Sequence, residues 1–75
     1  MKELVEFIAR SLVDAPDAVR VSEIETDQLT TYEIEVAPED VGKLIGRQGR
    51  IVKAIRSVVR ASAARRGVRV AVEVV

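Results

Sequence analysis

Seventy-five residues make room for one small domain with a thin core, and composition narrows what such a domain can do. The absence of cysteine and histidine removes disulfides, thiolate or imidazole metal ligands and the commonest general base. Net charge is zero, but the signs are segregated: residues 1–40 carry three basic and eleven acidic side chains, residues 41–75 nine basic and Glu73 alone.

Residues 2–13 read as a helix, with Leu4, Val5, Ile8 and Leu12 at helical spacing and Phe7 widening the stripe. Lys2, Glu3, Glu6 and Arg10 interrupt its apolar run, so no membrane span or signal peptide is expected and a soluble cytoplasmic protein is. Pro16 ends the helix. Residues 18–25 alternate imperfectly through Val19, Val21 and Ile24, predicting a strand with one irregular step. After a polar turn at Thr26-Asp27-Gln28, Tyr32, Ile34 and Val36 alternate with Thr31, Glu33 and Glu35, a cleaner strand with one charged face.

Pro38 suits the first position of a second helix, with Glu39 and Asp40 favourable at its positive end. That helix runs to about Ile45 and meets Gly46. A third helix spans 50–66, capped by Gly67. Its apolar arc of roughly 160° comprises Ile51, Val52, Ala54, Ile55, Val58, Val59 and Ser62, with Lys53, Arg56 and Arg60 opposite. A last strand sets Val68, Val70, Val72 and Val74 against Arg69, Ala71 and Glu73. The order is α-β-β-α-α-β. The long helical crossover makes the second and third strands parallel, the short turn makes the first pair antiparallel, and three helices cover one face of a mixed α+β sheet.

Between the second and third helices lies Gly46-Arg47-Gln48-Gly49, a G-x-x-G loop. Its glycines permit backbone angles that a side chain forbids and leave no Cβ to hold a ligand away. Amides at the start of the following helix attract phosphate, and Lys43, Arg47, Arg50 and Lys53 surround the loop with positive charge. An isolated G-x-x-G more often makes a simple helical corner; the β-α-α-β frame and the basic surroundings favour a phosphate cradle here. Ile45 and Val52 are the candidates to line an aliphatic groove beside it.

Leu44-Ile-Gly-Arg-Gln-Gly-Arg-Ile-Val-Lys-Ala-Ile55 resembles the signature of KH domains, and the element order resembles the type II KH arrangement over essentially the whole chain. The opening Lys2–Arg10 and Val36–Gly46 segments resemble the KhpA-type family of small bacterial KH proteins. That resemblance implies single-stranded RNA binding by one KH domain over residues 1–75, a chaperone or post-transcriptional role, and links to cell shape. It also implies a homodimer, or a complex with a KhpB-like larger KH-domain protein. Gly46, Arg47, Gln48 and Gly49 would be the clamp on about four nucleotides. Gln48 departs from the family, in which Gly, a small or a basic residue is common there.

An enzyme would need a nucleophile–base pair, a metal cluster or a nucleotide loop. Gly42-x-x-x-Gly46 followed by Arg47 lacks the Lys-Ser/Thr of a P-loop, so neither catalysis nor a cofactor is expected. Phe7 and Tyr32 are the only aromatics, too few for a stacking platform. A KH-like assembly module with weak or no RNA binding is the rival reading. Nothing in the loop alone distinguishes RNA from single-stranded DNA.

Overall fold

The computed structural model describes residues 1–75. Its elements follow the expected order: α1 (Lys2–Leu12), β1 (Arg20–Glu25), β2 (Thr30–Glu35), α2 (Val41–Ile45), α3 (Arg50–Ala64) and β3 (Val70–Val74). Single 3-10 turns at Pro16–Ala18, Pro38–Asp40 and Arg47–Gly49 lead into β1, α2 and α3. β2 is central, antiparallel to β1 and parallel to β3, giving the three-stranded mixed sheet that the sequence predicts.

Directly paired residues share a face of a sheet. Val21 lies opposite Ile34, and Tyr32 opposite Val72. With Val5 and Ala9 of α1, Leu44 of α2, Ile55 and Val59 of α3, and Val19 and Val36 at the strand ends, these four form the buried core. The other face carries Arg20 beside Glu35, Ser22 beside Glu33, Ile24 beside Thr31, and Glu33 beside Glu73. The irregular step in β1 therefore falls between Val21, which is buried, and Ile24, which is 46% exposed on the open face. Glu33 and Glu35 of β2 and Glu73 of β3 make that face acidic, and basic α3 lies behind the sheet.

β3 begins two residues later than alternation predicts. Gly67, at φ +70°, ends α3 as expected, with its N–H bonded to the Ala64 carbonyl and the Val68 N–H bonded to the Ala63 carbonyl, both at 3.1 Å. This pair of bonds is the Schellman arrangement. The Val68 amide serves the helix end, so Val68 stays outside the strand and is exposed.

The apolar arc of α3 also divides in a way that periodicity does not reveal. Val52, Ile55, Val59 and Ala63 are buried, whereas Val58 is half-exposed and Ala54 exposed. α1 stands off from that flank and leaves an apolar hollow of about 490 Å³ bordered by Phe7, Leu12, Ile51 and Val58. No helix is long and apolar enough to cross a membrane.

Candidate nucleic-acid interface

The loop between α2 and α3 is a tight left-handed corner. Gly46, Gln48 and Gly49 all have positive φ, at 75°, 58° and 73°. Left-handed backbone costs a non-glycine residue about 1–2 kcal/mol, so only the glycines adopt it freely. Gly46 meets a second constraint: a Cβ there would lie 2.6 Å from Cγ1 of Ile51, on the first turn of α3. Gly46 thus packs directly against α3 and fixes the angle between the two helices. The Gly49 N–H bonds the Gly46 carbonyl and the Arg50 N–H bonds the Arg47 carbonyl. Two amides counted from sequence as open to phosphate are therefore engaged inside the turn. What the loop presents outward is the exposed Arg47 and Gln48 side chains and the positive end of a fifteen-residue helix.

Lys53 stands one turn into α3, and its Cε lies about 4.0 Å from where a Gly49 Cβ would be. Arg56 and Arg60 continue on the same flank at helical spacing. The sequence sets these three opposite the buried arc; in the fold, Arg56 is drawn inward over the edge of the sheet. Its Nε donates to the Val72 carbonyl at 3.0 Å. The Arg69 carbonyl and the Val75 N–H face β2, so Val72, at the alternate position, directs its carbonyl to the outer edge of β3. Arg56 sits four residues after Val52 and three before Val59, the margin of the buried stripe, and that spacing was the available signal. Arg50 points elsewhere, bordering the apolar hollow toward α1.

Lys43 is not a free cation. Its ammonium pairs with Asp14 and lies 3.7 Å from Asp40. The hydrogen bond to Asp14 holds its pKa above the ordinary lysine value, with both carboxylates adding attraction. Asp40, read from sequence as an acid suited to a helix start, is buried. Its carboxylate accepts from the Asp14 N–H at 3.3 Å and the Ala15 N–H at 3.1 Å, tying α2 to the chain leaving α1. Of the two aliphatic candidates, Ile45 is 38% exposed beside the loop and Val52 shows 8% of its surface. Tyr32 is buried, donating its hydroxyl to Oε2 of Glu23 at 3.0 Å; burial, then the Glu23 carboxylate, pushes its pKa up to about 12. No group of three or more acidic side chains is placed to hold a metal ion.

The model of the KhpA/KhpB KH-domain family matches residues 2–74. The chain belongs to that family. KhpA/KhpB is a KH-domain family and not an enzyme family. Among curated relatives, a protein named RNA-binding protein KhpA from Clostridium acetobutylicum is 56% identical over the full length of both chains. Its namesake from Caldanaerobacter subterraneus is 55% identical over the same extent. One from Chlamydia pneumoniae is 43% identical, covering 99% of this chain and 95% of its own. Among solved structures, Aquifex aeolicus Era superposes with a TM-score of 0.72 at 22% identity, covering 99% of this chain and 30% of Era. That likeness concerns the fold alone.

Proposed function

We propose that this chain binds single-stranded RNA as a KH domain spanning residues 1–75, gripping the sugar–phosphate backbone at Gly46–Gly49. The observation that carries the reading is the left-handed corner with two basic side chains, Arg47 and Lys53, beside it and no carboxylate paired to either. Arg50 adds charge from the α1 side, and Ile45 with the rim of Val52 offers aliphatic surface to bases. Lys43 contributes less, because Asp14 and Asp40 already neutralise it. The protein acts by binding rather than catalysis, in the cytoplasm, as an RNA chaperone or post-transcriptional regulator. The names of its relatives, RNA-binding protein KhpA, support the RNA assignment.

A contact of about four nucleotides on a neutral protein gives weak affinity, and a second RNA-binding unit would raise it through effective concentration. That unit is a second copy or a KhpB-like larger KH protein. The apolar hollow between α1 and α3 supports such assembly, because exposed apolar area of this kind marks interaction surfaces. It also favours the second reading, an assembly module with little RNA binding.

The deciding experiment replaces Arg47 and Gln48 by Asp together. Asp tolerates the left-handed angles of position 48 better than most residues, so melting should change little. Each new charge opposes a phosphate at close range, where one pair is worth about 4 kcal/mol at an effective dielectric near 20 before screening. RNA binding should be lost while partner association persists. Unchanged RNA affinity with an intact fold would leave the assembly-module reading standing.

A further inference from the structure

Of the four basic side chains around the G-x-x-G loop, Lys43, Arg47, Arg50 and Lys53, only Lys43 is held by carboxylates. It stands three residues before Gly46, yet its ammonium is turned away from the loop. Asp40 precedes it by three residues at the start of α2, so an ammonium 3.7 Å from that carboxylate is drawn back along the helix. Asp14, on the connector between α1 and β1, pairs with it directly.

The two acids stand there for different reasons. Asp40 is buried and both its oxygens serve the backbone: Oδ1 accepts from the Asp14 N–H and Oδ2 from the Ala15 N–H. Its carboxylate holds the fold together whatever stands at position 43. The Asp14 carboxylate has no such task. Its side chain is 81% exposed, and its hydrogen bond and ion pair are both with Lys43. An exposed acid whose partner is a lysine beside a phosphate site competes with phosphate for that lysine.

We infer that Asp14 is an internal competitor for phosphate: by pairing with Lys43 it withholds a fourth cation from the G-x-x-G loop and keeps the affinity for RNA low. The inference rests on the RNA-binding reading and names the residue that tunes that site. While Asp14 is present, a phosphate reaches Lys43 only by displacing a carboxylate, and exchanging one anion for another returns little. Once released, the ammonium is a point charge on a flexible four-carbon stem and can swing toward the loop.

The test titrates a random-sequence RNA decamer, at several salt concentrations, into the parent, Asp14→Asn, Asp17→Asn, Lys43→Gln and the Lys43→Gln versions of both Asp variants. Asparagine keeps the N–H at position 14 that Asp40 accepts, so thermal melting of Asp14→Asn should be unchanged. Asp17 is exposed, lies three residues on and makes no ion pair, so its variant measures what losing one negative charge does by itself. Asp14→Asn should bind about two- to fivefold more tightly than Asp17→Asn. Its salt slope should steepen by about 0.7, as expected for one further phosphate held. In the Lys43→Gln background, Asp14→Asn should gain no more than Asp17→Asn does. An excess gain that survives Lys43→Gln, or no excess over Asp17→Asn at all, overturns the competitor role and leaves the loop clamp standing. Failure of the parent and every variant to bind removes the RNA reading itself, and the role of Asp14 with it.

Discussion

A methyl group placed at Gly46 would press into Ile51 at 2.6 Å, whereas one at Gly49 would find nothing nearer than 3.9 Å. Both positions have positive φ, so Gly49→Ala should cost about 1–2 kcal/mol for the backbone alone. Gly46→Ala carries that cost and must also displace a side chain packed against the core, so its loss should be clearly larger. Urea melts of the two variants check this, and equal losses would show that Ile51 yields freely. Gln48 occupies the left-handed region without a glycine's freedom, so Gln48→Gly should not lower the melting temperature. Tyr32 supplies a pH-dependent counterpart. Its pKa is raised from 10 to about 12 by burial and by Glu23, so folding favours the protonated phenol. That contribution is fully present below pH 10 and is lost as pH rises through 12. Melting temperature should fall more steeply between pH 10 and 12 for the parent than for Tyr32→Phe; parallel curves would show that the phenol is not held in this way.

At the level of the element, α3 is where sequence and structure part company, and the reason is geometrical. Periodicity places side chains around a helix axis but does not say what stands on either side of it. The end of α2, the loop and the Gly67 cap were legible because each depends on local backbone chemistry, whereas Pro38–Asp40 forms a 3-10 turn ahead of α2 and not its first turn. That Val58 faces an unfilled hollow, that Arg56 reaches a strand carbonyl and that Asp40 is buried all depend on neighbours remote in sequence. The structure accordingly revises the roles of the flank. Arg56→Gln should destabilise the fold by about 1–3 kcal/mol, because it removes a charged donor from a backbone carbonyl. Lys53→Gln should leave stability unchanged and weaken RNA binding with a reduced salt slope. Chemical denaturation alongside RNA titration separates the two. An Arg56 variant as stable as the parent would mean that the edge contact carries no weight.

Across the whole molecule, the charge split read from sequence becomes a spatial one, with an acidic open sheet face and a basic α3 flank. Glu33 and Glu73 lie directly opposite each other on that face, an unfavourable like-charge pair that repels polyanions from the sheet. Replacing Glu33, Glu35 and Glu73 by Gln should raise affinity for any RNA a few-fold at low salt. The gain should vanish near physiological ionic strength, where screening acts over about 8 Å. A gain that persists at high salt would instead place RNA on the sheet. The contact between Arg56 and Val72 matters at this scale too. β3 is an outer strand, and its free edge is the kind of surface to which another extended chain adds itself. Arg56 occupies the outward carbonyl of its middle residue. The same side chain therefore leaves a fourth strand one acceptor fewer along that edge, one way in which a charged group blunts an outer strand against edge-to-edge addition.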